Sequence, residues 1–358
     1  MTKVQAITTE APKGGVKFQT VDVEDNGPVE LSPMYTGICG TDRGMVTGRL
    51  DFAYNPQGQD FIVLGHESIC RVKSADSQTE FKAGDLVVPM VRRPGKCINC
   101  QAGRQDNCSD GDKKEAGITG KNGFMRESFT DDPEFLVKID DPSLSRTGVL
   151  TEPLKNVVKV FDVVETVSKR SIYASTDSTY HGKKAYVIGT GAEGFLFAMM
   201  ASEYGFDTRI LNRHPVEENR MAICDAFNME FVDYSKEDRK EKIDLLIDTS
   251  GDPATFLKFM RIMNFNSVGI MFGTNGKAPS TEFTGKDIDI MVERNITLAG
   301  SVDAAKTHYE KAASYLSRWN ARNSRVLSSM ITSEKEPSET SVFTDRNTES
   351  IKTVIKWN

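Results

Sequence analysis

The sequence predicts two domains of different class: a β-rich domain over residues 1–184 and a doubly wound α/β domain over 185–304, with a C-terminal segment, 305–358, that returns to the first. Three observations lead there. At 358 residues the chain exceeds the roughly 250 to 300 at which a single core stops growing. Before residue 184 the apolar runs are short and separated by turn residues, as in Asp60 to Leu64, Asp85 to Pro89 and Phe135 to Ile139, a pattern of small strands and long loops. From Ala185 the runs recur at intervals that leave room for helices.

In order, the runs of the second domain are Ala185 to Ile188, Thr208 to Leu211, Glu230 to Val232, Ile243 to Ile247, Ser267 to Phe272 and Ile296 to Ala299. Six strands alternating with helices make a doubly wound sheet. After Ser301, Tyr309, Ala312, Tyr315 and Leu316 mark a helix. The tail from Ile351 to Trp357, with Ile351, Val354 and Ile355, reads as packing on the first domain. There is no internal repeat and no low-complexity tract.

Hydrophobic residues make up 38% and charged residues 27%, enough apolar material for a packed core. The net charge of -6, with no Lys/Arg block to track a phosphate backbone, argues against a nucleic-acid partner. The most apolar stretch, Phe195 to Ala201, is about a third of a membrane span, which argues against a membrane protein. Met1-Thr2-Lys3-Val4 lacks the apolar run of a signal peptide, so a cytoplasmic location is expected. In that reducing compartment the six cysteines read as thiols or metal ligands before disulfides.

Ala185 to Ile188 leads into Gly189-Thr190-Gly191-Ala192-Glu193-Gly194 and then an apolar helix running to Gly205. In G-x-G-x-x-G the first glycine permits the tight turn, the second lets a pyrophosphate approach the backbone, and the third lets helix and strand pack closely. The N-terminus of the helix offers unpaired N–H groups to the anion. A dinucleotide is therefore expected on Gly189 to Gly194. The second strand ends in Leu211-Asn212-Arg213-His214 with no carboxylate for a ribose 2′-hydroxyl. Arg213 suits a 2′-phosphate, with Asn212 and His214 beside it, so NADP should bind at least as well as NAD. The strand ends at Thr249 and at Phe272-Gly273-Thr274 should line the same crevice.

Cys97, Cys100 and Cys108 form C-x2-C-x7-C in a polar loop, and three thiolates at that spacing can clamp one tetrahedral zinc. A fourth ligand is missing; Asp110, Asp112 and Glu115 follow, and Asp112 is favoured. Of four histidines, His66 stands out in Leu64-Gly65-His66-Glu67, preceded by Cys39-Gly40-Thr41-Asp42.

With Gly37-Ile38-Cys39-Gly40-Thr41-Asp42, Gly65-His66-Glu67, the cysteine loop and Gly189 to Gly194 in that order, the chain resembles the medium-chain zinc-dependent dehydrogenases. Gly40-Thr41-Asp42-Arg43, Val91-Arg92-Arg93, Glu115-Ala116-Gly117-Ile118, Gly123-Phe124-Met125-Arg126, Thr151-Glu152-Pro153, Asn212-Arg213 and Gly300-Ser301-Val302-Asp303 look like their archaeal glucose dehydrogenase group. The likeness runs from about Ala6 to Trp357.

That resemblance implies a GroES-like catalytic domain with a zinc lobe, followed by a Rossmann domain. It implies a catalytic zinc on Cys39 and His66, with Glu67 and Glu152 completing or exchanging in its shell, and a second, structural zinc on Cys97, Cys100 and Cys108. Thr41 would relay the substrate proton, and Glu67, Glu115, Glu152 and Asp303 would meet the sugar. Ser301, Val302 and Asp303 would lie near the nicotinamide. The implied reaction moves a hydride from C1 of D-glucose, and D-galactose too, to NADP or NAD, in sugar catabolism of the Entner-Doudoroff type. A homotetramer is implied as well.

Two departures stand out. The usual lobe carries a further cysteine in the slot that is Pro94 here, and the usual glycine three residues beyond Glu67 is Cys70. The competing readings are a sorbitol- or threonine-type dehydrogenase, and a non-catalytic relative that binds a cofactor without the metal.

Overall fold

The computed structural model describes residues 2–170, 180–216, 218–236, 241–345 and 349–357. The chain forms two compact units, one of Met1–Lys155 with Asp303–Asn358 and one of Asn156–Val302. The chain thus leaves the first unit within the helix Thr151–Ser168, ahead of the change of texture at residue 184.

The largest sheet of the first unit places Leu136–Ile139, Leu86–Pro89, Glu67–Ala75, Val29–Ile38, Lys352–Lys356 and Ile331–Lys335 side by side, and Phe129–Asp131 also pairs with Val29–Ile38. Lys352–Lys356 runs antiparallel to Val29–Ile38 and parallel to Ile331–Lys335, so the apolar tail is an interior strand of this sheet. Lys352 to Ile355 are all buried, so both faces of this strand are covered. A second sheet of Lys17–Val23, Thr2–Thr9 and Ile62–Val63 packs over a core that includes Ile7, Ile38, Met45, Leu64, Met125 and Ile355. The strand Ile331–Lys335 has no counterpart in the sequence reading; its run Ile331-Thr332-Ser333-Glu334-Lys335 is too polar to announce itself.

The second unit holds six parallel strands, Lys184–Ile188, Asp207–Asn212, Glu230–Asp233, Ile243–Asp248, Met263–Met271 and Thr297–Gly300. Numbered in that sequence, they lie in the order 3-2-1-4-5-6. Each begins within a few residues of an apolar run seen in the sequence, because strands covered on both faces must be apolar throughout.

One glycine of the first unit is dictated by space. Gly65 has φ +87, and a Cβ there would lie 2.4 Å from Met125 Cγ and 2.9 Å from Thr36 Cγ2. Gly117 and Gly123 close on the same backbone, each leaving room for the Gly65 carbonyl. That packing sets where the following residue, His66, projects. Gly65→Ala should therefore destabilise the protein by about 2–4 kcal/mol, read as a lower urea midpoint at unchanged slope.

Candidate active site

The strand Val29–Ile38 delivers Cys39 at its end, where the chain turns into the helix Gly40–Val46. Cys39 caps that helix: its Sγ accepts from the Thr41 N–H at 3.2 Å, while the Cys39 N–H donates to Asp42 Oδ2 at 2.9 Å. Cys39 Sγ lies 3.0 Å from His66 Nε2, and the other ring nitrogen, Nδ1, lies 3.5 Å from Asp42 Oδ1. His66 and Asp42 are both buried. Among the described residues His66 Nδ1 and Asp42 Oδ1 have no other hydrogen-bond partner, so the carboxylate aims the ring at the sulfur. Burial opposes a charge on this imidazole, yet the Cys39 thiolate and Asp42 outweigh it and hold His66 well above its usual range. Burial pushes the Cys39 thiol up, with His66 pulling against it.

A second group shares the histidine. One donor atom each from His66, Glu67 and Glu152 lie within 4.8 Å of one another, as do those from Cys39, Asp42 and His66. Glu67 is the cross-strand neighbour of Gly37, where an added Cβ would fall 2.1 Å from Glu67 Oε2. With no side chain on the middle strand, the Glu67 carboxylate lies over it and accepts from Lys352 Nζ at 2.5 Å, on the strand beyond. Glu152 opens the helix Thr151–Ser168, and Lys155, one turn on, pairs with it at 3.2 Å. Burial raises the Glu152 carboxyl, against the pull of Lys155.

Lys155 also donates to Asp303, and Asp303 Oδ2 lies 2.9 Å from Arg92 Nε. Arg92 holds Glu115 Oε1 at 2.6 Å, and its Nη1 donates to the Asp106 carbonyl at 3.0 Å. Burial would raise the Asp303 carboxyl, but Lys155 and Arg92 keep it below the usual range. Thr41, half-buried, follows directly on Cys39 and the exposed Gly40.

The donor set fits zinc. A thiolate, an imidazole and carboxylate oxygens converge, and the far nitrogen of the histidine is already engaged by a carboxylate. In the loop, the Cys97, Cys100 and Cys108 sulfurs lie within 4.8 Å of one another. Backbone N–H groups of Ser109 and Cys100 draw the Cys97 thiol down to about 6, toward the thiolate that metal binding needs. Asp112 Oδ1 is 3.7 Å from Cys108 Sγ, and a Cβ on Gly95 would fall 1.6 Å from that same oxygen. The carboxylate thus fills the turn at Pro94-Gly95, beside the slot of the missing cysteine. Asp110 and Asp112 are exposed, and Glu115 is turned to Arg92.

In the second unit, Gly189 (φ +109) makes the turn, and Gly194 packs so tightly that a Cβ would sit 2.0 Å from the Gly189 carbonyl oxygen. Nothing lies within 4 Å of the Cβ position at Gly191, the room a pyrophosphate needs. Ala192 and Glu193 begin the helix Ala192–Glu203, and Thr190 is buried behind the turn. Arg213 and His214 are exposed, and Asn212 Nδ2 donates to the His214 carbonyl at 3.2 Å, shaping that strand end. Thr249 Oγ1 donates to the Ile188 carbonyl at 2.7 Å beside Gly189, and the N–H groups of Phe272 and Gly273 close on the Asp248 carbonyl. Thr274, Ser301 and Val302 follow the last two strands.

The sequence does not single out four residues that the site uses. The Cys39/Asp42 spacing of a capping box and the i,i+3 spacing of Glu152 and Lys155 were signals for two of them; Arg92 and Lys352 are long-range partners with none.

Residues 145–357 match the family described as glucose dehydrogenase C-terminus, and residues 25–141 the alcohol dehydrogenase GroES-like domain. The glucose 1-dehydrogenase of Thermoplasma acidophilum is 56% identical over 361 aligned residues, covering 100% of each chain. That of Metallosphaera sedula is 39% identical, covering 99% of each. The solved structure of Haloferax mediterranei glucose dehydrogenase in complex with NADP, Zn and gluconolactone has the same fold, with a TM-score of 0.81 at 24% identity and 99% of each chain covered.

If Asp42 orients His66, Asp42→Asn should weaken zinc binding about 10- to 100-fold with the fold retained, measured by competition with a chromophoric chelator.

Proposed function

Since the chain belongs to the zinc-dependent medium-chain dehydrogenases, we propose that it is a glucose 1-dehydrogenase, oxidising D-glucose, and D-galactose too, at C1 to the aldonolactone with NADP or NAD. One observation carries the reading. The cysteine–histidine pair stands among buried carboxylates, in a chain 56% identical end to end to a protein of that name. A simple-alcohol site would be lined by apolar side chains, whereas carboxylates suit a polyol because each accepts from hydroxyls.

Cys39 and His66 would hold the zinc, with Glu67 and Glu152 as the carboxylates that complete or exchange in its shell. Bound there, zinc supplies Lewis acidity to the C1 hydroxyl, and a nicotinamide accepts the hydride. The protein's own part is alignment. Asp42 fixes the ring of His66, and Lys352 holds Glu67 against the sheet. The Thr41 hydroxyl takes the proton leaving C1–OH and passes it outward. Glu115 and Glu152 accept from ring hydroxyls, which orients C1. Gly189 to Gly194 would receive the pyrophosphate and Arg213 the 2′-phosphate. Cys97, Cys100, Cys108 and Asp112 would hold the second zinc.

The proposal includes a homotetramer. In its support, the edge strand Thr297–Gly300 pairs on one side only among the described residues, and Phe283, Ile288 and Val292 of the same unit are exposed. It also includes a cytoplasmic setting, where the six free cysteines stay reduced. No helix among the described residues is long and apolar enough to cross a membrane.

A steady-state panel of glucose, galactose, sorbitol and threonine with both cofactors tests the reading. Glucose-dependent NADP reduction, lost on chelation and restored by zinc, is expected; activity that survives complete metal removal would refute the mechanism. Arg213→Ala should raise KM for NADP about 10- to 100-fold with little change for NAD, the size of a lost charge-assisted fork.

A further inference from the structure

We infer that Lys155 is a positioning residue of the sugar site, the cation that sets the spacing between Glu152 and the Asp303–Arg92–Glu115 group; this rests on the glucose reading above. Five charged side chains alternate in sign, Glu152, Lys155, Asp303, Arg92 and Glu115, each touching the next. Lys155 is 3% exposed and Arg92 5%, so water does not screen the pairs. Both oxygens of Asp303 face cations, Oδ1 toward Lys155 and Oδ2 toward Arg92, which makes it the link between the two. Glu152 commits Oε1 to Lys155 and Glu115 commits Oε1 to Arg92. Glu152 Oε2 is left as an acceptor for a sugar hydroxyl; Glu115 Oε2 accepts from Thr119 Oγ1 at 3.4 Å, a long bond that a sugar hydroxyl would join or replace, and the distance between the two acceptors is set by the cations.

The surroundings fix Lys155 in turn. Its Nζ stands 5.5 Å from the centre of the Tyr309 ring, and the Tyr309 hydroxyl accepts from the Val91 N–H at 3.2 Å, next to Arg92. A compact ammonium with three donors can serve two carboxylates and a ring face at once. A neutral chain of the same length leaves Glu152 and Asp303 without their shared cation.

The test uses the full-length zinc-loaded enzyme. Lys155→Met and the conservative Lys155→Arg are compared with wild type on glucose and on its 2-, 3- and 6-deoxy analogues, with zinc content and NADPH affinity measured alongside. A site built to meet a hydroxyl rejects the analogue that lacks it. For Lys155→Met the expected result is a rise in KM for glucose of about tenfold or more. Discrimination against at least one deoxy sugar should fall by a similar factor, at unchanged NADPH affinity and zinc content, with partial recovery in Lys155→Arg. Unchanged discrimination in Lys155→Met, even with a lowered Tm, would assign Lys155 to stability alone and overturn the inference. Should Lys155→Met fail to fold, Lys155→Arg and Arg92→Lys decide it: both change the spacing at constant charge, and unchanged discrimination in both overturns it. Wild-type enzyme inactive on every sugar would overturn the glucose reading as well; wild-type activity with unaltered variants overturns the positioning role only.

Discussion

A carboxylate taken out of water is stable only beside a cation or strong donors, and the candidate site of the first unit takes four out: Asp42, Glu67, Glu152 and Asp303, at 0%, 2%, 5% and 7% exposure. Each has its own answer. Asp42 faces the imidazole of His66 and the Cys39 N–H, Glu67 faces Lys352, Glu152 faces Lys155, and Asp303 faces Lys155 and Arg92. Removing one partner of such a pair typically costs about 3–5 kcal/mol, while replacing the pair with apolar residues can be neutral. Such pairs are therefore weak evidence for stability.

The strand order makes the pairs reachable. Glu67 and Lys352 are far apart in sequence, and the strand Val29–Ile38 runs between theirs. Only a glycine at residue 37 lets the carboxylate cross it, so the first residue of Gly37-Ile38-Cys39 is explained by a side chain on a neighbouring strand. The third is explained by the helix that follows, since a residue that caps Gly40–Val46 through its sulfur has that sulfur pinned before any ligand arrives. Gly37-Ile38-Cys39 is therefore a packing and capping motif.

Legibility in the sequence follows the range of each interaction. The six strands of the second unit and the glycine turn were readable because their determinants are local: apolar runs, and glycines at fixed spacing. Cys39, His66, Glu67 and the cysteine loop stand out as candidates in the sequence because metal-ligand chemistry restricts the residue types, and the structure brings their donor atoms together. Lys352 does not stand out, because a lysine in an apolar tail looks like a solvated one until the tail is seen as an interior strand. Arg92 was quoted only within a resemblance, since nothing local says that its guanidinium bridges Glu115 and Asp303. The boundary between the units was obscured for a similar reason. Thr151–Ser168 is one continuous helix, and the chain changes unit inside it without any break in pattern.

That helix also explains why the charges of the site lie where they do. Lys155 is the last residue before the chain departs for Asn156–Val302, and Asp303 is the first on its return. Their ion pair joins the two ends of that excursion, and Asp303 is held at φ +55, a conformation that asparagine and aspartate tolerate better than most residues. Within the second unit, Lys159, a turn further along the helix, donates to the Val302 carbonyl at 3.1 Å and repeats the stitch. A long excursion leaves its ends free to separate unless something closes them, and here the closure uses a residue that also holds Glu152. The geometry of the carboxylates and the closure of the chain are thus one constraint, and a change at Lys155 bears on both.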